Sequence, residues 1–251
     1  PGPLTMIFQK SDIVPHGTTG GLDTVAVRMP DHPIARDLIL AGGGYISAPS
    51  ANTSGRPSPT TAQHVEEDLT GKIDMIVDGG PVDIGVESSI LDVTVDPPMI
   101  LRPGAITKEM FESVVGTVAV DHTLIKPDSK EVPKAPGMKY RHYAPKASMA
   151  VYQGDREKVI KKICREAAGY PEDKVGILAT EETKDAYTYG QVVVAGSRKD
   201  GTIAHGLYGA LREFDRLGVE VILSESFAGE DKSEAVMNRL LKAAGQHIEY
   251  L

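Results

Sequence analysis

Apolar and polar positions change period several times along the first half of the chain. Short β-rich runs predict strands over Leu4–Gln9, Thr24–Met29, Tyr45–Ala48, Ile73–Val77, Ser88–Val93 and Met99–Arg102. Between them, spacing near 3.6 predicts helices over Pro33–Ala41, Thr61–Leu69 and Lys108–Val115. Thr60 with Gln63 reads as a capping box for the second helix, which stops near Gly71. Thr107 reads as the N-cap of the third, which ends near Gly116.

Residues 118–147 lose this rhythm. Pro127, Pro133, Pro136 and Pro145 punctuate a basic stretch with little periodicity, which predicts a linker. Alternation then resumes. Strands are expected at Met149–Gln153, Val175–Ala179, Val192–Ala195 and Val219–Ser224, with helices at Asp155–Ala168, Thr202–Leu217 and Ser233–Ala244. The strands are mostly continuous apolar runs, as in a sheet covered on both faces. Strands alternating with helices imply βαβ units and a parallel sheet, so 148–251 is expected to be a small Rossmann-like α/β domain.

Composition narrows the class. In 251 residues, 41% are apolar and 25% charged, which is globular rather than disordered. No apolar run approaches the ~18 residues of a membrane span, and PGPLTMIFQK lacks the features of a signal peptide, so a cytoplasmic protein with no membrane partner is expected. The single Cys164 excludes an internal disulfide; it shares a helical face with Val159, Ile160, Ile163 and Ala167 and reads as a core thiol. The net charge of −8 argues against a general nucleic-acid binder. Yet Lys126–Lys146 holds six Lys or Arg and two Asp or Glu, a solvated linker or a phosphate-facing segment. The chain opens on Pro-Gly-Pro and then a strand pattern, as if within a domain, and so reads as a fragment or processed product.

The candidate chemistry lies at strand ends. No GxxxxGK[ST] loop is present, and Gly42-Gly43-Gly44 follows a helix and precedes a strand, the wrong order for a dinucleotide fingerprint; it reads as a helix C-cap. The stretch SAPSANTSGRPSPTT (47–61) joins a strand to a capped helix. Backbone N–H groups with Ser and Asn side chains there can hold an anion, and Arg56 can add charge; a Pro-stiffened loop with Ser/Thr caps is the plain alternative. DGGPVDIGVESSILD (78–92) leads glycines and acids into a strand, and in MILRPGAIT (99–107) Arg102 ends a strand at a Pro-Gly turn. Arg28 closes TVAVR in the same way. Such arginines suit a phosphate or carboxylate, or a surface ion pair. Open α/β sheets commonly gather strand ends of this kind at one crevice. The seven histidines form no HxH or HExxH pattern, and no metal-ligand set or catalytic triad is visible.

Together these stretches resemble the long form of the threonylcarbamoyl-AMP synthase family, in which a YrdC-type domain precedes a small Rossmann-like domain. The matching stretches are PGPLT, GLDTVAVRMPDHP, SAPSANTSGRPSPTTAQHV, GKIDMIVDGG, GVESSILD, ILRPGAIT and APGMKYRHYAPKA, with ALREFDRLGVEVILSE and AVMNRLLKAA towards the end. The resemblance covers essentially the whole chain. It implies an α/β fold, with part of a YrdC-type twisted mixed sheet over 1–117, a linker or lid over 118–147, and the Rossmann-like parallel domain over 148–251.

The implied activity is nucleotidyl transfer. L-Threonine, bicarbonate and ATP, the last with magnesium, give threonylcarbamoyl-AMP and pyrophosphate, and a downstream transferase uses the product for threonylcarbamoyladenosine in tRNA. The resemblance assigns Ser50 and Asn52, a Ser-x-Asn motif, with Thr24, Ser58, Arg102 and Tyr143, to the nucleotide. It assigns Arg28, Ala48 and Ser88 to threonine, and Tyr140, Arg141 and His142 to a lid that closes over the site. It names no catalytic residue or resident metal here. Family members carry a further N-terminal portion with a Lys-x-Arg motif, so this chain is expected to hold part of the site and to be weakly active or inactive by itself. A non-catalytic RNA-binding YrdC-like module and a carbamoyl transferase domain are the competing readings, and weak RNA binding is a further expected partner contact.

Overall fold

The structure is a computed structural model that describes residues 1–121, 143–229 and 233–251. The predicted lid residues Tyr140, Arg141 and His142 lie outside the described residues. The chain divides into two compact units, one formed by residues 1–49 and 87–139, the other by residues 50–86 and 140–251.

In chain order the first unit contains β1 (Leu4–Gln9), β2 (Thr24–Arg28), α1 (Pro33–Ala41), β3 (Ser89–Asp92), β4 (Met99–Arg102), a helix at Lys108–Val115 and β5 (Ala119–Val120). Its sheet runs β2-β1-β3-β4-β5. β1 pairs antiparallel with β2 and parallel with β3, β3 antiparallel with β4, and β4 parallel with β5, so the sheet is mixed. One face buries Ile7, Ile90 and Leu101; another cluster gathers Leu91, Ile100, Phe111 and Val118. The Lys108–Val115 helix begins as its sequence indicates, with Thr107 accepting from the Met110 amide, and ends at Gly116. α1 buries no residue, and Ile34, Leu38 and Leu40 are exposed. Gly42 caps α1, as its position predicts.

Two expected strands do not form. Tyr45–Ala48 and Ile73–Val77 enter no ladder. Both have strand composition, but a strand needs a partner edge as well as apolar side chains. The first leaves two glycines at positive φ, Gly43 and Gly44, and runs into Pro49. Tyr45 and Met75 are largely exposed.

The second unit starts with α2 (Ala62–Leu69), the helix at Lys108–Val115 being α3. The N-cap of α2 is Thr61, which accepts from the His64 amide, one residue later than the capping box predicts. Then follow β6 (Ser148–Gln153), α4 (Arg156–Ala167), β7 (Val175–Ala179), a short 3-10 turn, β8 (Gln191–Val194), α5 (Ile203–Leu217), β9 (Val221–Glu225), α6 (Ser233–Ala243) and β10 (Ile248–Tyr250). The sheet order is β10-β6-β9-β7-β8 and every pairing is parallel. β7 is buried along its whole length, the consequence of its unbroken apolar run VGILA. α5 lays Ile203, Leu207, Leu211 and Phe214 into the core at helical spacing and stops at Gly218 in the left-handed region. The 50–86 segment is anchored on α5 as well. Gly85, at positive φ, lies so close that an added Cβ would sit 2.4 Å from the Ala204 carbonyl oxygen. His205 Nδ1 lies 2.9 Å from the Asp83 carbonyl oxygen.

Candidate functional site

In the first unit the sheet register sets four positions in one row. Arg28 of β2 faces Thr5 of β1, Thr5 faces Ile90 of β3, and Ile90 faces Arg102 of β4. Ser88, just before β3, joins the row through its side chain. Its hydroxyl lies 2.7 Å from the Thr5 hydroxyl. Arg102 donates from Nε to the Ser88 carbonyl oxygen at 3.0 Å and from Nη2 to the Ser88 hydroxyl at 3.2 Å. Ser88 is buried, so these bonds are shielded from water and fix the guanidinium plane. Arg28, an exposed residue, donates from Nε to the Gly2 carbonyl oxygen at 3.1 Å.

The turn after β4 is built for close approach. A Cβ on Gly104 would meet the Ser89 amide nitrogen at 2.4 Å. With glycine there, the Ser89 hydroxyl donates to the Ile106 carbonyl oxygen at 2.8 Å and accepts from the Ile106 amide at 3.0 Å. Arg102 therefore sits on a strand end tied down on both sides. Two cations and two hydroxyls on one row suit an oxyanion ligand, phosphate or carboxylate.

In the second unit the Ser-x-Asn loop is held from beneath. Asn52 donates from Nδ2 to the Thr53 carbonyl oxygen at 2.9 Å, and its Oδ1 is buried with no partner among the described residues. A buried acceptor left this way needs a donor from a ligand or water. The loop rests on Asp68, in the last turn of α2, whose side chain is fully buried. Asp68 Oδ2 accepts from the Thr53 amide at 3.1 Å, and its carboxylate is paired with Arg56. From α5, Arg212 Nη2 donates to Asp68 Oδ2 at 2.9 Å and to the Pro57 carbonyl oxygen at 2.7 Å. Asp215, one turn further on, accepts from Arg56 Nη2 at 3.3 Å and from the Lys146 amide at 2.7 Å. A cavity of about 430 Å³ lies beside this network, lined by Arg56, His64, Glu67, Lys146, Arg212 and Arg216 among others.

Electrostatics follow the packing. Burial would raise the Asp68 carboxyl, but the Arg212 hydrogen bond, the Thr53 amide and both guanidinium charges outweigh it and hold it below the ordinary range. Burial lowers the His64 imidazole, and the Arg212 charge adds to that.

The other predicted residues stand as follows. Thr24 is at the opposite end of β2 from Arg28, paired with Gln9, about 13 Å along the strand. Ala48 and Ser50 are exposed, and Ser58 is buried. Tyr143 is buried, at positive φ, with its ring 5.4 Å from that of Tyr208, and the next amide, Ala144, donates to the Gly55 carbonyl oxygen at 2.9 Å. Thr5, Asp68, Arg212 and Asp215 carry no sequence signal of their own. Thr5 sits in a strand pattern and Arg212 in a helix pattern; only register and long-range pairing single them out.

Comparison with known proteins gives a consistent picture. Residues 106–245 match the family model described as "Threonylcarbamoyl-AMP synthase, C-terminal domain", and residues 1–104 the one described as "Telomere recombination". The chain is 48% identical to the threonylcarbamoyl-AMP synthase of Pyrococcus abyssi over 250 residues, covering 99% of this chain and 72% of that one. It is 49% identical to that of Bacillus subtilis over 250 residues, covering 99% and 71%. The solved structure of P. abyssi Sua5 complexed with L-threonine superposes with a TM-score of 0.91 at 47% identity, over 100% of this chain and 73% of that one. The mixed sheet, the all-parallel sheet and the sequence match agree: the chain belongs to the threonylcarbamoyl-AMP synthase family.

Proposed function

We propose that the chain acts in the synthesis of threonylcarbamoyl-AMP from L-threonine, bicarbonate and ATP. The observation that carries this reading is the row of Arg28, Thr5 and Arg102, joined by Ser88, in a chain of this family. The threonine carboxylate is assigned to Arg28, with Ala48 and Ser88 beside it. The nucleotide is assigned to Ser50, Asn52, Thr24, Ser58, Arg102 and Tyr143, and the lid to Tyr140, Arg141 and His142. The domain division proposed along the sequence is 1–117, 118–147 and 148–251, although residues 50–86 pack in one compact unit with the C-terminal region. Magnesium enters as part of the ATP substrate. Downstream partners are a tRNA-modifying transferase and, weakly, RNA. The setting is the cytoplasm; no described helix is long and apolar enough to cross a membrane.

The chemistry asks for positioning and charge stabilisation. Threonine nitrogen attacks bicarbonate carbon and water leaves, giving N-carboxythreonine. Its new carboxylate oxygen attacks the α-phosphorus of ATP, the bond to the β-phosphate oxygen breaks, and pyrophosphate departs with the electron pair. Arginines fixed by hydrogen bonds, hydroxyls and backbone amides supply what such a transfer needs. The test is pyrophosphate release by this chain with MgATP, each co-substrate omitted in turn. Release that requires both threonine and bicarbonate is expected, and slow turnover suffices because the dependence carries the reading. Release that responds to carbamoyl phosphate instead would mean a carbamoyl transferase. No release, with steeply salt-dependent tRNA binding, would mean an RNA-binding module.

A further inference from the structure

We propose that Arg212, on α5 of the C-terminal region, is a positioning residue for the nucleotide loop, acting through Asp68. This rests on the assignment of Ser50 and Asn52 to ATP made above.

The geometry is specific. Residues 50–57 hold little regular structure, and Asn52 bonds to its own neighbours. What fixes the loop against the rest of its unit is a small set of contacts. Asp68 receives the Thr53 amide, and the Thr53 hydroxyl donates to the Asp68 carbonyl oxygen at 3.4 Å. Arg212 spans Asp68 and the Pro57 carbonyl, so one guanidinium grips the carboxylate beneath the loop and the loop's far end together. Gly55 is tied at its carbonyl by the Ala144 amide, and Arg56 by Asp68 and Asp215.

Arg212 and Asp68 side chains are 3% and 0% exposed, so the pair is shielded from water and salt. A surface pair could not hold a loop to a fraction of an ångström; a buried, forked one can. The planar fork is what matters, because Nη1 and Nη2 meet the two Asp68 oxygens at 3.4 and 2.9 Å while Nη2 also holds the Pro57 carbonyl. Lysine would keep the charge and lose the second nitrogen's hold on Asp68. The C-terminal region thereby acquires a role in the reaction, although Arg212 touches neither substrate nor reacting atoms in this reading.

The experiment measures ATP and L-threonine affinity by titration calorimetry for the full chain and for Arg212→Lys and Asp68→Asn, both of which preserve size and polarity. Thermal unfolding and amide exchange over 50–57 are measured on the same proteins. The expected result is ATP binding about tenfold weaker in each variant, the change worth one hydrogen bond to a charged group. Threonine affinity is expected to stay within about twofold, and the 50–57 amides to exchange faster. Equal ATP affinity in all three proteins would overturn the inference alone. Parallel loss of both ligands with a lowered melting temperature would reduce Arg212 to a structural residue and overturn it too. No ATP binding by the parent chain would overturn the loop assignment beneath it.

Discussion

At the scale of single residues, the site depends on side chains fixed by hydrogen bonds to buried groups. Arg102 is bound to both the carbonyl and the hydroxyl of Ser88, so Arg102→Lys keeps charge but gives up the fork. Hydrogen bonds to charged groups are worth roughly 1.5–3 kcal/mol. The variant should lose about ten- to a hundredfold in product formation at fixed substrate, measured at a temperature where it remains folded; an unchanged rate would remove Arg102 from the site. Glu182 gives a pH prediction of known sign. Burial would raise it, but the Lys199 and Arg198 amides and the Ser197 hydroxyl bring the carboxyl from 4.5 to about 2. Its folded pKa is thus depressed. Its stabilisation is present above the unfolded value of 4.5 and is lost as pH falls through about 2. Because Glu182 is exposed, solvent screens the effect and the gain is modest. Melting temperature against pH should fall less steeply across that window in Glu182→Gln than in the parent; identical slopes would contradict the assignment.

At the scale of elements, periodicity was enough wherever local pattern and tertiary pairing agree. β1, β4, β7, α1 and α3 fall at the predicted bounds. β5 and β10 were invisible, because two or three residues at a sheet edge carry no period; their strand state comes from neighbours already in place. The expected strands at 45–48 and 73–77 fail for the converse reason, strong composition without a ladder partner. Site legibility divides along the same line. Arg28 and Arg102 end their strands, so a strand reading finds them; Thr5, Asp68 and Arg212 need register and pairings across many residues of chain. Two substitutions test the elements directly. Gly104→Ala drives a Cβ into the Ser89 amide and should cost several kcal/mol of stability, with loss of the Ser89–Ile106 pair, by chemical denaturation. Phe214→Ala empties a fully buried position of α5 and should cost about 3–5 kcal/mol by the same measurement.

At the scale of the whole molecule, charge and composition excluded classes and the quoted motifs supplied the family. The −8 charge disfavours a protein held strongly to nucleic acid by phosphate contacts. The two units carry different architectures, a mixed sheet and an all-parallel one; the parallel sheet was legible from its unbroken apolar strands, whereas the mixed sheet was expected only from the family resemblance. The association of residues 50–86 with the C-terminal unit was not legible, since it rests on Gly85 against α5 and on Arg212 with Asp68. The most direct test of the proposed activity is mass spectrometry of the nucleotide products after incubating the chain with MgATP, L-threonine and carbon-13 bicarbonate. An adenylate that contains threonine and carries the label in its carbamoyl carbon is the expected product, absent when threonine or bicarbonate is left out. A nucleotide pool with no such adenylate under saturating substrates, from this chain and from a longer one spanning its relatives' full length alike, would contradict it.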